Sequence, residues 1–445
     1  MNTVSHMHPG QWARPGSRQL EFNSLDPWVD LAKLLERGKF DAIFLADVVG
    51  THDIYRGSRD TSVQEGMQIP VNDPALIIPA MAYATENLGF AVTSSVIQEH
   101  PFTFARKIST LDHLTNGRIG WNVVTSFLES AARNLGFGTL PPHAERYARA
   151  DEYVEVVYKL LEGSWEDDAV LRDVVSRKYA DPSKVHEINH VGQFFQVVGP
   201  HLCEPSRQRM PVLFQAGSSA PGRDFGARHA EGAFIAARLP EAARVQIADM
   251  KERAATFGRR ADDLIFYAAM SFIVGGTEEE AQRKAREIDE YASDEGYAAV
   301  MSGAMGVDLG AYPLDTPVGD MEQYSLQGVV KSMVDSIPDK SWTFGDVLRY
   351  LHEQRIVGTP EQVADALQEW VDAGVHGINI RCHSLPGSLE DFVDGVTPVL
   401  QERGLQQREY ASGTLREKLF DGAAGPRLND RHPAASRRRP SSMLS

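Results

Sequence analysis

Between residues 40 and 126, three short apolar runs alternate with helix-like segments. The runs are AIFLA at 42–46, LGFAVT at 88–93 and IGWNVV at 119–124. Each ends in small or polar residues: Asp47, then Thr93 to Ser95, then Thr125 and Ser126. Continuous apolar runs of this length mark parallel strands covered by helices on both faces. Polar residues at the C-terminal ends of such strands stand where β/α barrels place their chemistry. The segment therefore predicts a fold class and the face of it that carries a site.

The same rhythm extends along the chain. Residues 26–38 read as a helix, with Trp28, Leu31, Leu34 and Leu35 on one face and Gly38 as its stop. Residues 51–73 are too polar for a strand and predict a long loop over the barrel mouth. Helices are expected at 74–85, 103–114 and 146–162. In the last, Tyr147, Ala150, Val154, Val157 and Leu161 recur at helical spacing. Residues 164–211 break the alternation, with a small hairpin near 194–198. Strands resume at 212–216, 232–236, 265–274 and 377–380. Residues 291–344 interrupt again, as a lid with its own helices or a partly mobile segment. Helices at 361–373 and 389–403 close the fold. The alternation predicts a parallel α/β domain over residues 1–420. Residues 421–445 are rich in Pro, Arg and Ser and are expected to be a disordered tail.

Composition narrows the function. The net charge of −16 argues against nucleic acid, which needs a basic face. No apolar run approaches a membrane span, and the N-terminus has no apolar signal region. Two cysteines, Cys203 and Cys382, with no CxxC pair, fit a reducing cytoplasm. His6 and His8 lie close, and His186 and His190 are four apart, but no HExxH or cysteine pair supports a metal.

One motif carries anion chemistry on its own. QAGSSAPG, residues 215–222, follows a strand and precedes a helical stretch. Small residues there let backbone N–H groups approach an anion, and the helix start adds positive potential. A tight turn with a helix cap is the alternative reading.

The segments FDAIFLADVVG, RDT, QIPVNDP, LDHLTNGRIGWNVVTS, ERY, ADPSKVHEINH, QAG and YPLDTP together resemble the luciferase-like flavin monooxygenases. More narrowly, they resemble the family of nitrilotriacetate, dibenzothiophene-sulfone and long-chain alkane monooxygenases. The resemblance spans about residues 2–420 and is nearest the branch of long-chain alkane and dimethyl sulfide monooxygenases. It implies a (β/α)8 TIM barrel with insertions near 164–211 and 291–344. Family members carry a first strand ahead of the stretch that here reads MNTVSH, so that strand is expected to be missing or truncated.

The resemblance also implies FMN, used as FMNH2 with O2. A separate NAD(P)H:FMN reductase is the expected source, since no GxGxxG dinucleotide fold is visible. A homodimer or homotetramer is expected. By the same resemblance Ala216, Gly217, Ser218 and Ser219 hold the phosphate, with Tyr147 and His143 completing that end. Asp47 lies beside the isoalloxazine, Thr93 lines its face, and Ser126 and Phe127 contact it largely through backbone. Flavin chemistry belongs to the cofactor; the protein supplies orientation, a dry pocket and a donor. His6, His52 and Gln68 are the polar side chains expected at the reacting end. Arg118 reads as structural. The alkane monooxygenase pattern has Cys at the position of Thr3, Tyr at His52 and His at Phe127. The common family Tyr before HP is here Gln98. These departures leave the flavin site intact and open the substrate.

The expected reaction is monooxygenation of a small apolar or organosulfur compound. Three alternatives stand beside it. They are oxidative cleavage of a heterocycle such as riboflavin, deazaflavin-dependent hydride transfer on the same fold, and flavin binding without turnover.

Overall fold

The apolar runs form a ring of parallel strands. The computed structural model describes residues 2–317, 342–352, 355–420, 422 and 425–439. Its strands are β1 (Asn2–Thr3), β2 (Ala42–Leu45), β3 (Val71–Asn72), β4 (Gly89–Ser95), β5 (Ile119–Val124), β6 (Val170–Asp173), β7 (Lys178–Ala180), β8 (His190–Val191), β9 (Gln196–Val197), β10 (Val212–Gln215), β11 (Gly232–Phe234), β12 (Ile265–Val274), β13 (Arg355–Gly358) and β14 (Gly377–Ile380). The helices through the lid are α1 (Asp26–Arg37), α2 (Asp60–Gln64), α3 (Ile78–Tyr83), α4 (Pro101–Leu114), α5 (Glu129–Asn134), α6 (His143–Gly163), α7 (Ala220–His229), α8 (Pro240–Thr256), α9 (Glu278–Glu290) and α10 (Asp294–Met305).

The ring runs β2–β4–β5–β10–β11–β12–β14, every pair parallel. β12 changes partner along its length. Residues 267–270 pair with β14, and residues 271–274 pair with β13. The result is a nearly closed seven-strand barrel of the expected TIM-barrel class. Among the described strands, no ladder joins β2 to β14. The eighth ring position has no strand there, and β1 pairs antiparallel with β3 instead. A cavity of about 590 Å³ follows this seam, from Thr3 and His6 past Ile43, Leu45, Ile378 and Ile380.

Inside the barrel, Phe44, Phe214, Phe234 and Tyr267 form an aromatic layer with ring centroids 4.8–6.5 Å apart. Leu415 and Leu419, on the short helix Leu415–Leu419, pack against this layer. Arg416 on the same helix is fully buried. It donates to both carboxylate oxygens of Glu231, at 2.6 and 2.9 Å, and to the carbonyls of Met210, Pro211 and Pro426. Arg118 is structural as expected and is held by carbonyls. Its guanidinium donates to the carbonyls of Thr115, Leu88 and Ala82 at 2.8–3.0 Å.

Three expectations are revised. The 51–73 loop contains α2 and β3. The 164–211 excursion holds two hairpins, β6–β7 and β8–β9, rather than one. The largest change is the tail. Residues 425–439 form a strap in which Leu428, His432 and Ala434 are buried. Its arginines pair with carboxylates of the barrel: Arg427 and Arg438 with Glu162, Arg431 with Asp263, and Arg437 with Glu155. Low apolar content predicts disorder only for a chain with nothing else to bury against. Here the acidic body supplies partners for each of these cations. Residues 440–445 of the expected tail, and 318–341 of the expected lid, lie outside the described residues.

Candidate active site

The strand ends converge as the polar termini of the apolar runs imply. Asp47 follows β2, Thr93 and Ser95 lie in β4, Ser126 follows β5, and residues 216–219 follow β10. Asn122 donates from Nδ2 to Thr93 Oγ1 at 3.0 Å, both side chains buried. Ser95 and Ser126 hydroxyls are 2.7 Å apart. Ser126 has φ +61°, an unusual conformation for a residue with a side chain, and Arg146 donates to its carbonyl. Gln98 bridges the other way. It accepts from Ser95 N through Oε1 and donates through Nε2 to Asp47 Oδ2, both at 3.4 Å. Burial raises the Asp47 pKa to about 6, and nearby Asp73 adds to the effect.

The second constellation lies at the N-terminus of α7. Ser219 is the N-cap, its Oγ accepting from Gly222 N at 3.2 Å. His143 Nε2 is 3.2 Å from the same Oγ. The Tyr147 hydroxyl presses on two glycines. A Cβ at Gly217 or at Gly222 would lie 2.7 Å from that oxygen, and one at Gly217 would lie 2.3 Å from Gln215 Nε2. Only glycine admits the Tyr147 hydroxyl this close to the backbone, which brings that donor and His143 beside a helix start. The residues at this helix start fit a phosphate.

The three residues expected at the reacting end are joined, though not as free donors. His52 is 1% exposed, and its Nε2 donates to Gln68 Oε1 at 3.0 Å. Gln68 Nε2 donates in turn to the His6 carbonyl at 3.1 Å. Burial lowers the His52 pKa, so the ring is neutral with its proton on Nε2. Its Nδ1 faces Gly303 of α10, where a Cβ would lie only 2.1 Å away. His52 is therefore locked against α10 with its donor engaged. Of the three, only His6 lines the 590 Å³ cavity. Phe127 is half exposed, its ring centroid 6.2 Å from that of His52.

Asn122, Arg146 and Gly303 join the site without having been singled out for it, and Gln98, noted as a departure from the family pattern, joins it through Asp47. Asn122 carried a signal, an amide inside a buried apolar run. The roles of Arg146 and Gly303 depend on contacts between segments far apart in the chain. The histidines set aside as metal ligands are engaged separately, His186 with Glu166 and His190 with Glu152. Among the described residues no group of three metal-ligating side chains forms, and no helix is long and apolar enough to cross a membrane.

Polar groups at the strand ends of a parallel barrel, with a glycine-rich helix start in a late loop, are the layout of a barrel enzyme. The family model described as luciferase-like monooxygenase matches residues 1–377, and the chain belongs to that family. It is 48% identical to long-chain alkane monooxygenase of Geobacillus thermodenitrificans (strain NG80-2), over 100% of this chain and 98% of that one. It is 45% identical to dimethyl-sulfide monooxygenase of Hyphomicrobium sulfonivorans, over 98% and 92%. A crystal structure of riboflavin lyase with modified FMN and riboflavin superposes with TM-score 0.88 at 37% identity, covering 98% of each chain.

Proposed function

We propose that this monooxygenase binds reduced FMN and uses O2 to oxygenate a small apolar or organosulfur compound. The observation that carries the FMN reading is the cradle formed by Gly217, Ser219, Gly222, Tyr147 and His143. Asp47 stands at the end of β2, three places along the ring from β10, suited to the ring of the same cofactor. When bound, the reduced flavin supplies the electrons and activates the oxygen. The chain's own residues do the rest. The cradle and the start of α7 bind the phosphate. The Gln98 bridge orients Asp47. The His52–Gln68–His6 chain holds the mouth loop in place and keeps water from the reacting end.

The substrate class follows the alkane and dimethyl-sulfide relatives. A separate NAD(P)H:FMN reductase supplies the reduced flavin. Assembly as a homodimer or homotetramer is supported by exposed apolar side chains at and beside α3 and α4, among them Leu76, Tyr83 and Leu114. Both cysteines are unpaired, which suits a reducing cytoplasm.

The deciding experiment supplies FMNH2 and O2 to the purified protein with alkanes, sulfides, sulfones and riboflavin. An oxygenated sulfide, sulfone or alkane supports the proposal. Cleavage of riboflavin would replace the substrate class, and flavin binding without any product would remove the activity. Ser219→Asp sets a negative charge against the phosphate and is expected to weaken FMN binding by a hundredfold or more, on the order of 3 kcal/mol. Unchanged affinity by fluorescence titration would sink the cradle assignment.

A further inference from the structure

The cradle is built between the N-terminal ends of two helices, Tyr147 and His143 on α6 and Ser219 and Gly222 at α7. The strap of residues 425–439 grips the opposite ends of the same two helices. At the end of α6, Glu162 is fully buried between Arg427 and Arg438, with Arg438 Nε 3.0 Å from its carboxylate. Arg439 donates to the Gly163 carbonyl at 3.1 Å. At the end of α7, His432 Nε2 donates to the His229 carbonyl at 2.8 Å, satisfying an orphan group of the last turn. His432 Nδ1 accepts from Ala434 N at 3.2 Å, which fixes that tautomer.

A file of five rings connects the two ends. Tyr147 packs on Phe225 with centroids 5.8 Å apart, Phe225 on His229 at 4.7 Å, His229 on Tyr158 at 5.9 Å, and Tyr158 on His432 at 5.6 Å. Hydrogen bonds lock the middle. Tyr158 Oη donates to His229 Nδ1 at 3.0 Å, and His229 Nε2 donates to Asp151 at 2.8 Å. The file crosses from α6 to α7 and back to α6 before reaching the strap. Close-packed rings shift together rather than deform singly, so the file gives the strap end a packed route to the cradle end.

We propose that the C-terminal strap is a positioning element for the phosphate cradle, with His432 its principal residue. The strap acts through the α6–α7 pair, holding the Tyr147 hydroxyl at the distance from Gly217 and Gly222 that a phosphate needs. The inference rests on the cradle reading of the proposed function.

The test compares FMN with riboflavin, which lacks the phosphate, as ligands of the full chain by fluorescence titration. His432→Ala is expected to weaken FMN about tenfold and to change riboflavin less than twofold. His432→Gln keeps an N–H donor and is expected to recover most of the FMN affinity. Ser219→Asp serves as the cradle control. If Ser219→Asp leaves the preference for FMN over riboflavin unchanged, the cradle reading fails. If Ser219→Asp abolishes that preference and His432→Ala does not reduce it, the strap inference alone is overturned. Equal losses for both flavins would also overturn it, because that is general damage. Arg438→Gln, on a more accessible side chain, is the second variant should His432→Ala not fold. It is expected to lower the FMN preference in the same direction, and an unchanged preference would overturn the inference.

Discussion

Asp47 is charged at a cost. Its pKa of about 6 lies above the unfolded value near 4, so the folded protein holds this proton more tightly than the unfolded chain. Stability from this group is complete below about pH 4 and is lost as pH rises through 6. Asp47→Asn removes that dependence. The variant should gain on the parent across this window, by about 3 kcal/mol at pH 7, in urea melts at several pH values. A difference that is flat with pH would place the Asp47 titration elsewhere. His52 makes a different prediction, because its donor is engaged by Gln68. His52→Phe leaves Gln68 Oε1 buried without that donor, a loss of roughly 1–3 kcal/mol that frees the mouth loop. FMN binding should survive, coupling of reduced flavin to product should fall, and H2O2 release should rise. Unchanged coupling would remove His52 from the chemistry.

At the scale of elements, the contact between α10 and the mouth loop is set by one missing methyl. A Cβ at Gly303 would overlap the His52 ring. Gly303→Ala should cost about 1–3 kcal/mol in denaturant melts, as other overpacked sites do. In a His52→Ala background the same change should cost less than about 0.5 kcal/mol, since the ring it meets is gone. An equal cost in both backgrounds would assign the loss to the helix itself. β12 illustrates a second element-scale choice. Its ten residues read as one strand, yet the chain spends the first part on the barrel ring and the second on β13. β13 itself, RIVG, is a short run among charged residues and gives no periodic signal.

At the scale of the whole molecule, Arg416 joins the C-terminal segment to the barrel. Its pair with Glu231 is buried on both sides, and Glu231 also accepts from Leu213 N at 3.0 Å. Breaking a buried pair from one side leaves the other charge stranded. Arg416→Met should therefore destabilise the fold by about 3–5 kcal/mol in denaturant melts, while adding Glu231→Leu should return much of it. A double variant no better than the single one would show that Arg416 acts through its carbonyl partners instead. The same segment continues into the strap, so truncation after residue 424 should lower stability and FMN affinity together. A simple solvated tail would leave both unchanged.

Much was legible in the sequence, and for a common reason. The strands at 42–45, 89–95, 119–124 and 265–274 are continuous apolar runs, and their polar ends mark the catalytic face because backbone direction is local information. The glycine-rich start of α7 was legible for the same reason, since Gly217, Ser219 and Gly222 lie within the eight residues 215–222. What the tertiary structure decided was pairing at long range. His52 could be read as a mouth-loop histidine, but that its Nε2 meets Gln68 and its ring meets Gly303 depends on where α10 lands. The tail was misread because composition measures only what a segment can bury of its own. Glu162, Asp263 and the His229 carbonyl, each far away in the chain, supplied the partners that ordered it.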